Sequence, residues 1–140
     1  MVDVAFVALG SNLGDRAAFL AAGRDGIAAL RDTRILAATD VEETEPFGPA
    51  NQPRFLNQMV AIETPLTPRE LLDGLLDIER AAGRVRRERW GPRTLDLDIV
   101  KFERQTASAP GLEVPHPGLP QREFWQRQLA TLVATLTVQR

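Results

Sequence analysis

Asp96 and Asp98 interrupt an apolar run, "TLDLDIV" at 94–100, that otherwise reads as a β-strand. Aspartate forms strands poorly. In an extended chain alternate side chains share a face, so the two carboxylates point one way while Leu95, Leu97 and Ile99 point the other. Same-face neighbours stand about 6.6 Å apart along a strand, and two negative charges at that spacing repel unless a cation accompanies them. Carboxylate oxygens are hard ligands and the chain has no cysteine, which points to Mg2+ rather than to a thiolate-bound metal. Mg2+ is commonly held by one or two carboxylates with water and substrate phosphates, and a carboxylate pair can bridge two such ions. An exposed strand face carrying two solvated charges is the plainer alternative.

The preceding segment favours the metal reading. Arg84, Arg86, Arg87, Arg89 and Arg93 fall within ten residues, around Trp90 and the turn-forming "GPR" at 91–93. Guanidinium forks grip phosphate oxygens in pairs and stay charged at any working pH. Such a loop running into a metal-binding strand makes a site for a polyphosphate with Mg2+. A solvated surface loop, with Glu88 pairing any neighbour, is the bland alternative. Trp90 and Phe124 could stack on a flat heterocycle or pack in the core. Asn57 could read the edge of a polar ring or satisfy a bulge. Glu79 lies on a helix just ahead of the arginine loop, where a surface charge would also be ordinary. His116, the only histidine, is framed by prolines in "VPHP", and one histidine alone makes no zinc site. The loop "GSNLGD" (10–15) has the composition of a phosphate loop without its lysine, and reads as structural.

The elements that must hold these groups follow from periodicity. Residues 2–9 read as a buried strand, and Asp15 is suited to cap a helix from about Arg16 to Leu30 with Phe19, Leu20, Ile27 and Leu30 on one face. Residues 34–44 read as a second strand, 45–54 as a proline-stiffened loop and 55–64 as a third strand. Thr67, Pro68 and Glu70 form a capping box with proline at the first helical position. Leu71, Leu72, Leu75, Ile78 and Ala82 give that helix its apolar stripe, and Gly83 suits its end. The arginine loop (84–93), the aspartate strand (94–102), an irregular connection (103–120) and a helix over about 122–136 complete the chain. The order is that of a split βαβ, a ferredoxin-like α+β fold (βαββαβ) with an antiparallel sheet, helices on one face and a C-terminal helical extension. Fold alone names no activity.

Composition sets the outer limits. The 140 residues suit one domain over 1–140, and 44% apolar with 26% charged residues is an ordinary globular balance. No apolar run approaches the roughly 18 residues of a membrane span, and "MVDVAFVALG" is too short and too acidic for a signal peptide. The absence of cysteine fits the cytoplasm. A net charge of −2 argues against a general nucleic-acid binder, and concentrated arginines on a mildly acidic chain suit a small anion.

At "GRVRRERWGPRTLDLDI" (83–99) the chain closely resembles the signature of the 6-hydroxymethyl-7,8-dihydropterin pyrophosphokinase family of folate biosynthesis. Other segments stand in family order: "ALGSNLGD" (8–15), T-x-P-x-G-P at 44–49, "QPRFLN" (52–57) and "VPHPGLPQREF" (114–124). The resemblance covers nearly the whole chain to Phe124 and implies the same ferredoxin-like sandwich. It further implies that Asp96 and Asp98 hold two Mg2+ ions bridging the ATP phosphates, with Arg84 and Arg93 clamping those phosphates in catalysis. Leu72, Glu79, Arg86, Arg89, Trp90, Ile99, His116 and Arg122 match positions around ATP. Thr44, Pro46, Phe47, Phe55, Asn57, Trp90, Asp96 and Phe124 match the pterin pocket.

The implied reaction moves the pyrophosphoryl group of ATP to the pterin hydroxymethyl and releases AMP. Asp98 or a metal-bound water are the candidates to take the alcohol's proton. The implied protein is a cytoplasmic monomer whose partners are ATP and the pterin, with no nucleic acid and no membrane. The tail "FWQRQLATLVAT" replaces the family's apolar run, which favours the alternative of a non-catalytic paralogue binding nucleotide or pterin; the intact Asp96, Asp98, Arg84 and Arg93 weigh against it. A ferredoxin-like RNA-binding module ranks lower still, for want of tyrosine, an RNP-like segment and positive charge.

Overall fold

An unbroken apolar strand, unlike an alternating one, needs cover on both faces. The first strand, β1 (Asp3–Ser11), is buried at all nine positions, and the fold is built to supply that cover. The computed structural model describes residues 1–46, 52–83 and 94–139. After β1 come α1 (Arg16–Ala28), β2 (Arg34–Ala38), β3 (Glu42–Thr44), β4 (Phe55–Thr64), α2 (Pro68–Ala81) and β5 (Asp96–Phe102). A short hairpin of β6 (Ala107–Ala109) and β7 (Leu112–Val114), one 3-10 turn (Leu119–Gln121) and α3 (Glu123–Gln139) follow.

The main sheet runs β2-β4-β1-β5 with every neighbour antiparallel, and β3 pairs a second part of β4. With β2 and β3 taken as one interrupted element, this is the expected βαββαβ order with its two crossing helices.

Helices α1 and α2 cover one face. Leu20, Ile27, Leu71 and Leu75, all inaccessible to solvent, pack there against Ala5, Val7, Leu9, Val60, Ile62, Leu97 and Ile99. Each such leucine or isoleucine contributes about 1.5–3 kcal/mol by leaving water. The caps are those the sequence predicts. Asp15 accepts from the Ala18 N–H at 3.1 Å, and Thr67 and Glu70 close a reciprocal box at 3.1 and 2.9 Å. Gly83, at φ +78°, takes the left-handed turn that ends α2. Gly26, which by propensity only weakens α1, is where that helix meets α2: a Cβ there would lie 2.9 Å from Ile78.

Four expectations change. Helices do not all lie on one face, because α3 covers the other, where Trp125, Leu132 and Leu136 pack on Val4, Phe6, Ala8, Met59, Ala61 and Val100. The strand expected over 34–44 breaks after Ala38. Thr39 there bonds to β4 through its hydroxyl and carbonyl, accepting from the Met59 N–H at 3.0 Å and from Gln58 Nε2 at 2.7 Å. The connection expected to be irregular holds the β6–β7 hairpin, in which Ala109 pairs Leu112 across Pro110 and Gly111. Proline first and glycine second, with Gly111 at φ +75°, is the pairing a type II turn selects. Lastly, α3 runs on to Gln139, three residues past the expected Leu136.

Seating α3 on the sheet gives a direct test. Leu132→Ala should lower the unfolding free energy by about 2–5 kcal/mol in urea melts. Val133→Ala, one residue along and exposed, should stay within about 0.5 kcal/mol. Equal effects would mean that the helix does not pack on this face.

Candidate active site

β5 is the edge of the main sheet, so its outward N–H and C=O groups need partners from elsewhere. The Leu97 N–H donates to Glu79 Oε2 at 2.7 Å, and the Val100 carbonyl accepts from the His116 N–H at 2.9 Å. Glu79 is thereby only 3% exposed, and its role is to tie α2 to the aspartate strand rather than to sit as a loose surface charge. A buried carboxylate is tolerated only when its lone pairs are bonded.

The alternation expected in β5 holds. Leu95, Leu97 and Ile99 are buried among α1 and α2, while Asp96 and Asp98 are half-buried on the face that α3 covers. One extra residue then enters the strand: Phe6 opposes Lys101 but Val7 opposes Ile99, which shifts the alternation by one and returns Phe102 to the α1–α2 core while Val100 stays on the α3 face.

His116 is held on three sides. The Gly118 N–H donates to its Nδ1 at 2.9 Å, so a neutral ring carries its hydrogen on Nε2. Nε2 lies 3.6 Å from Asp98 Oδ1, close but beyond a hydrogen bond. The ring stands edge-on to Trp125 at 4.9 Å, and the Arg122 guanidinium lies 4.2 Å from the centre of the Trp125 ring. Trp125 is thus a core residue. Phe124 beside it is half-buried and meets Trp125 only at its edge, 6.3 Å away.

Across the sheet, register lines up a second group on the same face. Glu42, Asn57, Gly10 and Asp96 are successive cross-strand partners on β3, β4, β1 and β5, and Thr44 pairs Phe55 next to them. The Asn57 amide nitrogen donates to the Thr44 hydroxyl, which turns its carbonyl oxygen toward Gly10. A Cβ on Gly10 would sit 3.2 Å from that oxygen and 3.4 Å from the Phe55 ring, so the missing side chain leaves a floor between Asn57 and Asp96. Pro46, half-buried, lies two residues past β3.

A cleft of ≈ 430 Å³ runs along the open edge of β5. Leu72, Leu76 and Glu79 of α2 form one wall, Asp96, Leu97, Asp98 and Ile99 the base, and Gly111, Leu112, Glu113, His116 and Pro117 the other wall. Leu72, Glu79, Ile99, His116, Asp96 and Asp98, grouped around ATP and its metal by the family resemblance, all line this one cleft. Thr44, Phe55 and Asn57 gather at the adjacent row. Phe47, Arg84, Arg86, Arg87, Arg89, Trp90 and Arg93 lie outside the described residues.

Sequence reasoning overlooked Gly10, Leu76 and Leu112. Leu76 is one turn along from Leu72, and "APGL" at 109–112 carried a hairpin signal that would have placed Leu112. Gly10 had only its glycine identity to mark it.

The donor set at the Asp96–Asp98 pair fits Mg2+. It offers two carboxylates, each partly open to solvent, so water and phosphate oxygens would have to complete the coordination. No group of three or more His, Cys, Asp or Glu side chains among the described residues forms a closed metal cage.

Comparison with known proteins identifies the family. The model of the family described as 7,8-dihydro-6-hydroxymethylpterin-pyrophosphokinase (HPPK) matches residues 6–134. A Pseudomonas aeruginosa protein named 2-amino-4-hydroxy-6-hydroxymethyldihydropteridine pyrophosphokinase is 45% identical over 136 residues, covering 97% of this chain and 84% of its own. Proteins of the same name from Methylorubrum extorquens and Bacillus subtilis are 42% and 43% identical, covering 96% and 94% of this chain and 85% and 79% of theirs. With its family model matching residues 6–134 and relatives matched along almost its full length, the chain belongs to the 7,8-dihydro-6-hydroxymethylpterin-pyrophosphokinase family.

Proposed function

We propose that this chain transfers the pyrophosphoryl group of ATP to the hydroxymethyl group of 6-hydroxymethyl-7,8-dihydropterin, releasing AMP, in folate biosynthesis. The observation that carries the reading is the row Asn57–Gly10–Asp96, which sets a slot for a flat polar ring directly beside the cleft along β5.

The pterin occupies that slot. Its ring N–H groups face the Asn57 carbonyl oxygen, with Thr44 holding the amide in that sense. Phe55 and Pro46 border it and Phe124 offers a ring to stack on; the family resemblance adds Phe47 and Trp90, which lie outside the described residues. ATP lies in the cleft. Leu72, Leu76, Ile99 and Leu112 give its base apolar walls, and His116 and Arg122 stand near the phosphates. Arg84 and Arg93 clamp those phosphates, with Arg86 and Arg89 nearby, an assignment that rests on the family resemblance.

In the reaction the hydroxymethyl oxygen bonds to the β-phosphorus, the bond from that phosphorus to the oxygen of the α-phosphate breaks, and AMP leaves with that oxygen. The alcohol proton passes to a base, for which Asp98 is this chain's own candidate and water the alternative. Asp96 and Asp98 would hold Mg2+, two ions in all, and when bound these neutralise phosphate charge. The protein's own part is to align the alcohol with the phosphorus and to keep water out. No described helix is long and apolar enough to cross a membrane, the net charge is −2 and cysteine is absent. The further reading of a single-domain cytoplasmic monomer that engages small molecules rather than nucleic acid rests on the family resemblance.

Incubation with ATP, Mg2+ and the pterin should release AMP only when all three are present. ATP binding without AMP would instead support a non-catalytic paralogue. Asp98→Ala should cut turnover by at least about 100-fold with an unchanged circular dichroism spectrum, as expected for losing a group that stabilises developing charge; retained activity would remove the metal assignment. Asn57→Ala, which deletes ring-edge hydrogen bonds, should raise the pterin KM by roughly 10- to 100-fold and leave the ATP KM within about threefold. Equal changes in both would separate Asn57 from the pterin.

A further inference from the structure

The expected pterin slot has one wall on β3–β4 and another on α3, and these elements come from distant parts of the chain. Among the described residues, a cluster of charged and polar groups joins them. Arg127 donates from both terminal nitrogens to the two oxygens of Glu42, at 2.9 and 3.0 Å, and Gln128 Nε2 lies 3.3 Å from one of the same oxygens. A two-pronged Arg–carboxylate pair fixes angle as well as distance, which a single contact does not. Hydrogen bonding by Arg127 holds the Glu42 carboxyl below its usual range, so the pair is formed at neutral pH.

The spacing on each element gives this link its meaning. Glu42 and Thr44 are two apart on one strand and share a face, and the Thr44 hydroxyl holds the Asn57 amide. Phe124 lies three and four residues before Arg127 and Gln128 on α3, one turn along the same side of the helix. The pair therefore bridges strand to helix two residues from Thr44, which holds Asn57, and one turn from Phe124, the two groups assigned to the pterin. Its strand, β3, is only three residues long and pairs β4 alone among the described strands; Glu43 on its other side is tied to Arg16 of α1 at 2.9 Å, so on the slot side the Glu42 link is the one that reaches α3. The helix itself is seated by Trp125, Leu132 and Leu136, and the ion pair is not needed for it to dock.

We propose that Glu42 and Arg127 are positioning residues that set the width of the pterin slot by tying β3 to the first turns of α3. Neither needs to touch either substrate. The inference rests on the pterin reading of the slot. It also gives a role to a tail whose sequence departs from the usual family run.

The test is steady-state kinetics of AMP release by the full chain, with melting temperatures alongside. Glu42→Ala and Arg127→Met should each raise the pterin KM about 5- to 10-fold while the ATP KM stays within about twofold. The double variant should be no worse than either single one, because both remove the same link. Arg34→Gln, which breaks an exposed Arg–Glu pair at the far edge of the sheet, should leave all constants unchanged. An active wild type whose variants melt lower but keep the pterin KM would reduce the pair to a structural tie and overturn the proposal. Multiplicative loss in the double variant would do the same, since the residues would then act separately. A wild type that releases no AMP would remove the pterin reading and this inference together.

Discussion

An edge strand that carries two aspartates has to be held from outside its sheet, and the way β5 is held organises the site. Its free Leu97 N–H is taken by a buried carboxylate from α2, and its Val100 carbonyl by the backbone of His116. Each bond prevents a buried polar group from going unpaired, which costs on the order of 1–3 kcal/mol. Together they draw α2 and the segment after β7 to the same strand, and the cleft lies between them. Satisfying the edge and forming the cleft are one event.

The two faces of the strand then divide the work. Leu97 and Ile99 belong to the main core, so the backbone between Asp96 and Asp98 is anchored at every second residue. The carboxylates on the other face are half-buried, open enough for water and substrate to reach. Gly10 contributes by what it lacks: without a side chain on β1, the Asn57 carbonyl and Asp96 face one another across a clear floor. The open floor at Gly10 thus abuts the cleft along β5, with the aspartate pair at the border, and the proposed reading puts the flat ring on the one and the nucleotide in the other. A phosphoryl-transfer site needs that adjacency, since its catalysis is chiefly positioning and charge neutralisation.

Much of this was legible in the residues. The alternation of "LDLDI" assigned faces correctly because strand geometry leaves no other choice, and the capping signals of α1 and α2 act within one turn. Thr39 was not legible. It reads as a strand residue, and only Gln58 and Met59, nineteen and twenty positions along, show why the strand breaks there. Glu79 was similarly opaque, because nothing local says that a helix carboxylate will meet a backbone N–H eighteen residues away. The family resemblance named it as a site residue without saying what its carboxylate holds.

The sequence by itself determined the order of elements, their caps, the split of β5 into an apolar and an acidic face, and the family. All of these depend on interactions within a few residues or on segments long enough to be distinctive. Only the tertiary structure decided that α3 covers the second face, that Trp125 goes to the core while Phe124 stays half-buried, and that Glu42, Asn57, Gly10 and Asp96 share one row. Those outcomes rest on strand register and on which apolar surface is left uncovered once α1 and α2 have docked. Both are properties of the packed sheet, fixed by burial summed over distant segments, and no single stretch of the chain contains them.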